Sequence, residues 1–316
     1  FQAFKQFSDG LSLTKYPIYA TIVANILNVV INYVLIFGKF GFPEMGIVGA
    51  AVGTLVSRFV MLFYLWWLLA KRDKSKGYVT NIKFFKLSKQ PIKKLSNLGL
   101  PSAMQMFFEV GIFTAAIWLS GTLGANAQAA NQIALNLSSM TFMVAIGLSV
   151  AAMIRVGNQK GLKDFKALKR IAESIFLVGF VFALVFALFF VFFHTMLPDL
   201  YVDLDDPTNA LDTAEVVKIA ATLLLAAAVF QISDSLQVIT LGALRGLQDV
   251  KIPTIITFIS YWVIGFPISY FLGKEEAYGS LGIWLGLLAG LSVAAILLYF
   301  RFNYLTKRLI LQQDKS

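Results

Sequence analysis

At 316 residues, of which 58% are hydrophobic and only 14% charged, the chain lies outside the balance of soluble proteins, where about a quarter of residues carry charge; its mean hydropathy is +0.74. The absence of cysteine excludes thiol chemistry and disulfides, and a single histidine, His194, excludes multi-histidine metal centres. The formal charge of +10 does not imply nucleic acid as a partner, because the basic residues gather loop by loop and not along one amphipathic face.

Apolar stretches long enough to cross a bilayer recur along the whole chain. Eight spans are expected, at about 16–38, 46–70, 97–120, 126–154, 171–197, 216–243, 252–273 and 278–304. Barrel strands would alternate over about ten residues, and these stretches do not. The expected fold class is an all-α polytopic membrane protein.

In chain order, the first span carries Asn25, Asn28 and Asn32, of which the last two are four apart and share a helix face. They can line a cavity, coordinate an ion or join helices. The second span holds Arg58 and the small-residue pair Gly49 and Gly53, with Gly38 and Gly46 nearby as further points of close approach. Between Lys71 and Lys94 lie nine of the 27 basic residues, and between Arg155 and Arg170 six more. Lys39, Lys218 and Lys274 fall on the other side with the acidic stretch Asp199, Asp203, Asp205, Asp206, Asp212 and Glu215. This asymmetry places the basic loops, Arg245 and the carboxy terminus in the cytoplasm, beside anionic lipid. His194 ends the fifth span as a solvated interfacial residue. Met104, Met106, Met140 and Met143 offer an adaptable apolar wall.

The third and sixth spans hold the chemistry. Glu109 and Asp234 are the two acids deep within long apolar stretches, and neither 97–120 around the first nor 219–243 around the second contains Lys, Arg or His. An ionised carboxylate cannot rest unpaired in hydrocarbon, so each must hold a proton, bind a cation or face a wet cavity. Glu109 lies about 18 Å into its span at about 1.5 Å per residue, near the midplane. Gln105 is one turn earlier, and Asp234 is flanked by Gln231 and Gln237 at three-residue spacing. Two carboxyls facing one cavity can load and release H⁺ or Na⁺, and the spacing leaves both ions open. The bland alternative, that each acid merely joins helices, returns only about 0.6–2 kcal/mol.

Pro17, Gly46 and Ile47 recur as Pro253, Gly282 and Ile283 at one constant separation; Ala3, Lys5 and Asp9 recur as Ala243, Arg245 and Asp249 at another. Such ordered echoes within paired spans indicate the duplication common in transporters. A complete first copy would begin upstream of Phe1, with room for roughly four more spans. The chain is therefore expected to be a piece, or a processed product, of a protein of about twelve spans, the alternative being an eight-span protein with a remnant of duplication.

Several segments resemble the multidrug and toxic compound extrusion family. They are Phe107-Phe108-Glu109-Val110 after Pro101, Asn131-Gln132-Ile133-Ala134-Leu135-Asn136, Ile154-Arg155-Val156-Gly157, and Ser233-Asp234 followed by Leu244-Arg245-Gly246, with the amide-rich first span and Gly38-Lys39-Phe40-Gly41 in addition. The resemblance implies two six-helix lobes. Residues 1–70 would end the amino-terminal lobe, 71–96 would form a basic cytoplasmic loop, and 97–316 would be a complete carboxy-terminal lobe.

It also implies a monomeric antiporter of the bacterial inner membrane, exporting cationic or amphipathic organic compounds in exchange for Na⁺ or H⁺, without a cofactor. Glu109 and Asp234 match the family's carboxy-lobe cation site, with Gln105, Gln231 and Phe230 beside them; Asn28, Asn32 and Thr54 match part of an amino-lobe site. Phe230 departs from the pattern, standing where relatives can carry a Tyr hydroxyl.

Two other readings remain. A lipid-linked oligosaccharide flippase of the same superfamily needs a basic cavity, whereas Arg58 is the one base placed deep within a span. An inactive fragment is the other. A membrane enzyme is disfavoured by the absence of GxSxG, HExxH or a comparable motif.

Overall fold

The computed structural model describes residues 1–80, 88–202, 210–274 and 276–314. They contain helices and no strands. Among the described residues, eight helices are long and apolar enough to cross a membrane, and the chain divides into two compact units, Phe1–Lys89 and Gln90–Ser316.

The first unit contains α1 (Gln2–Gly10), α2 (Lys15–Ile36), α3 (Gly46–Ala70) and α4 (Asp73–Thr80). The helices α2 and α3 form an antiparallel pair around Ala20, Ala24, Met61, Leu65 and Leu69, capped by Phe4, Phe7 and Tyr16. Gly49 and Gly53 make this approach possible. A Cβ on Gly49 would lie 2.7 Å from the Leu35 carbonyl oxygen, and one on Gly53 would collide with Asn32 Oδ1. Gly38 and Gly46 act differently, adopting φ of +61° and +51° at the two ends of the connecting turn, a region that glycine enters without penalty. Arg58, expected within the membrane interior as a base, projects from α3 and is exposed in this unit.

The segment expected as a loop at 71–96 is largely helical. It forms α4 and the opening turns of α5 (Lys89–Thr122), while residues 81–87 lie outside the described residues. Lys and Gln are good helix formers, so the helix continues past the point where hydropathy stops.

The second unit continues through α6 (Ala125–Leu162), α7 (Phe165–Phe193), the short α8 (Met196–Asp199) and α9 (Ala210–Gly246). The last two spans are α10 (Lys251–Phe258), which runs through a π-helical segment (Ile259–Gly265) into α11 (Phe266–Leu272), and α12 (Gly279–Gln313). Of the predicted acidic stretch, Asp203, Asp205 and Asp206 lie outside the described residues.

Helix α9 is the hub, packed against α6, α7 and α12. Small residues along it, among them Ala220, Ala227, Ala228 and Ala243, are fully or almost fully buried and bring backbones close, as membrane helices require where no hydrophobic force drives them together. Polar pins add direction: Ser149 Oγ donates to the Val238 carbonyl at 2.6 Å, and the Ser233 and Ser292 hydroxyls share a hydrogen bond of 2.9 Å between α9 and α12.

The π-helical segment has a local cause. Pro267 follows it and supplies no N–H while crowding the preceding turn, which widens to relieve the clash. The Phe266 N–H reaches back five residues to the Tyr261 carbonyl. This wide turn aims Tyr261 inward and Trp262 toward α5, where the indole N–H donates to the Phe108 carbonyl at 3.2 Å. The Thr254 hydroxyl donates to the Pro101 carbonyl at 2.9 Å. Two side chains of the interrupted span therefore grip α5 on either side of Gln105, one of them at the residue before Glu109.

Candidate functional site

Two contacts set the register of α5 against α9. The Arg245 Nη2 donates to Gln105 Oε1 at 3.1 Å, and the Phe113 and Phe230 rings meet edge to face with centroids 6.1 Å apart. Rising numbers on α5 match falling numbers on α9, so the two run antiparallel. Glu109 then falls between the levels of Arg245 and Asp234. Electrostatics agrees: Glu109 lies within reach of Arg245 and of Asp234, and the Tyr261 phenol within reach of both acids.

The interior around these groups is polar and under-satisfied. Gln105, Gln231, Asp234, Gln237 and Tyr261 are all at most 5% exposed. Asp234 Oδ1, Gln105 Nε2, both amide atoms of Gln231 and of Gln237, and the Tyr261 hydroxyl are buried without a hydrogen-bond partner among the described residues. Orphaned polar groups in hydrocarbon each cost free energy. Such groups on the two helices that carry the carboxyls, with Tyr261 beside both acids, suit a site for a cation or water, and packing alone does not call for them. Among the described residues no group of three or more acidic or histidine ligands comes together. A cation held here would rest on two carboxyls and neutral oxygens, a hard-ligand set suited to Na⁺ or a proton.

Asp234 also borders a cavity of about 350 Å³, lined with Phe113, Ile117, Gln132, Asn136 and Phe230. Glu109 is half-buried on its own side of α5 and is not part of this lining. The cavity wall is phenylalanine and not methionine: Met104, Met106, Met140 and Met143 are exposed. Behind the cavity, Phe230 stacks edge to face on Trp284, whose indole N–H donates to Asn131 Oδ1 at 2.9 Å in full burial. Trp284→Phe leaves that oxygen bare, at a cost of about 1–3 kcal/mol, so the thermal midpoint in detergent should fall by several degrees. The double variant Trp284→Phe with Asn131→Leu should recover part of the loss in a mutant cycle.

In the first unit, the Asn32 amide donates to Asn28 Oδ1 at 3.3 Å and the Asn28 amide reaches Thr54 Oγ1 at 3.5 Å. The three residues singled out on α2 and α3 thus form one polar chain. Two residues of the second unit escaped the reading of the sequence. Arg245, assigned to a cytoplasmic loop, occupies the last turn of α9 and supplies the base that neither apolar stretch contains. Its signal was the eleven-residue interval from Asp234, about three full turns, which puts both on one face. Tyr261 was hidden in an apolar run, and its signal was Pro267 two turns on.

A family model, MatE, matches residues 101–271, more than half of the chain. The chain belongs to the MatE family. Its relatives include the multidrug resistance protein NorM of Photobacterium profundum, 36% identical over 96% of this chain and 66% of NorM. The multidrug resistance protein MdtK of Yersinia pseudotuberculosis is 38% identical over 98% of this chain and 66% of MdtK. Among solved structures, the eukaryotic MATE transporter AtDTX14 shares the fold with a TM-score of 0.81 at 20% identity, over 98% of this chain and 67% of that one. This MatE chain thus spans about two thirds of the length of the curated relatives it matches. It is a multi-pass membrane protein of this family, with the polar interior of its second unit falling within the matched residues.

Proposed function

We propose that the protein is a secondary active multidrug antiporter of the bacterial inner membrane, in which an entering cation and an outgoing cationic or amphipathic organic compound compete for Glu109 and Asp234. One observation carries this reading: a half-buried and a buried carboxyl lie within reach of each other in an unsatisfied polar interior, and one of them opens on an aromatic-walled cavity. A buried carboxyl needs one positive charge at a time. Whichever cation takes it displaces the other, and a ligand that binds one conformation better pulls the equilibrium toward it. The names of the NorM and MdtK relatives point the same way. Phe113 and Phe230 are suited to hold the flat face of an aromatic cation.

The test is transport by the whole protein in vesicles loaded with ethidium, with Na⁺ and H⁺ gradients imposed separately. One of the two gradients should drive efflux and the other should not. Efflux indifferent to both rejects the antiporter. The flippase reading is not favoured, because the cavity lining among the described residues holds one carboxyl, Asp234, and no base.

A further inference from the structure

We infer that Arg245 sets the charge capacity of the Glu109 and Asp234 site at one unit, so that it accepts one monovalent cation or one singly charged amphiphile and discriminates against dications. The inference rests on the antiporter reading and deepens it by naming the charge class of the substrate.

Three charged side chains follow one another along the antiparallel pair α5 and α9, the charge of Arg245 falling on Glu109 and that of Glu109 on Asp234. Tyr261 adds a neutral phenol. A guanidinium stays protonated at any physiological pH, so with both carboxyls ionised the cluster carries one negative charge and not two.

Arg245 is free to act through its field because no carboxylate is bonded to it. Its Nη2 is engaged by a neutral amide, Gln105 Oε1, and its Nε is buried without a partner among the described residues. The other acid near this end of the unit, Asp249, is taken by Arg301 through an ion pair of 2.8 Å. Lys160, also nearby, donates to the Leu247 carbonyl and faces Asp249. Arg245 is thus the one base among the described residues whose charge falls on Glu109. In a low-dielectric interior, a site's net charge decides what enters, since any surplus must be carried without solvent. One monocation brings the cluster to neutrality, and a dication overshoots it.

The experiment compares ethidium and propidium, which share one aromatic ring system and carry one and two positive charges. Binding to the purified whole protein in lipid nanodiscs is read by fluorescence polarisation. The native protein should prefer ethidium. Arg245→Gln should shift the ratio of affinities toward propidium by about tenfold or more, while Arg245→Lys should keep the native ratio. A ratio unchanged within about twofold in Arg245→Gln, or an Arg245→Lys protein that shifts as Arg245→Gln does, overturns the inference, the second result assigning Arg245 to shape and not charge.

Should Arg245→Gln fail to fold, Glu109→Gln provides the converse. It brings the cluster to neutral and should weaken propidium more than ethidium; equal weakening overturns the inference. Failure of the antiporter reading is separable, because it shows as ethidium binding without efflux under either gradient, while the affinity ratio still decides the role of Arg245.

Discussion

Asp234→Asn will cut gradient-driven ethidium efflux to background while leaving the thermal midpoint unchanged or raised. Asn has nearly the shape of Asp and keeps an oxygen and a polar nitrogen at the same depth, so a group serving only to join helices would lose little. Asp234 is 5% exposed and its Oδ1 has no partner among the described residues, which leaves its charge as the property in use. An unpaired buried charge destabilises its surroundings, and neutralising it relieves that strain. Loss of transport with retained stability is therefore the mark of a site, whereas a packing group shows the reverse. Efflux should fall by at least about tenfold, the loss produced by about 1.4 kcal/mol of coupling. Glu109→Gln should also abolish efflux, but with a smaller gain in midpoint, because it strips Arg245 of its counter-charge. Native-like efflux in the Asp234→Asn protein would assign the carboxyl to packing and remove the basis of the antiporter reading.

The spans, the acids and the polar stripe of α9 were legible because each rests on a local rule. Twenty apolar residues can only be a span, a lone acid within one must be accounted for, and three-residue spacing fixes a face. What escaped lies where a local rule meets a partner from elsewhere. Arg245 looked like loop because hydropathy falls at the end of the sixth span, yet α9 continues to Gly246, since nothing in the backbone obliges a helix to stop at the edge of its apolar run. The same confusion turned the first turns of α5 into loop. Tyr261 lay beyond a helical wheel altogether: the π-helical segment shifts the face of every residue after it, and only Pro267 hinted at the shift. The cavity was mis-walled for a different reason. Methionine and phenylalanine are both apolar, and composition cannot say which of them faces lipid; the pairing of Phe113 with Phe230 depends on the register of α5 against α9, which no short-range pattern encodes.

The second large effect concerns that register. Gly242→Val should abolish folded yield or lower the thermal midpoint more than any substitution at the carboxyls. A Cβ at Gly242 would lie 2.2 Å from the Ser149 carbonyl oxygen and 2.5 Å from its hydroxyl, and that hydroxyl is already committed to the Val238 carbonyl one turn away. Neither obstacle is a flexible chain end that can swing aside, so α6 and α9 must separate, at a cost of about 3 kcal/mol or more. The same separation reaches the site, since Gln132, Asn136 and Ser138 of α6 face Asp234 of α9 across the cavity. Any Gly242→Val protein that survives should therefore bind ethidium more weakly although no lining residue has changed. Gly147, also on α6, is the control. A Cβ there meets nothing within 4 Å, and Gly147→Ala should be neutral or stabilise by about 0.5–1 kcal/mol through helix propensity. Thermal unfolding of both variants in detergent, alongside dye binding, separates the two cases. Equal midpoints would mean that α6 and α9 do not touch at Gly242, and the alignment of Asp234 with its cavity would lose its structural cause.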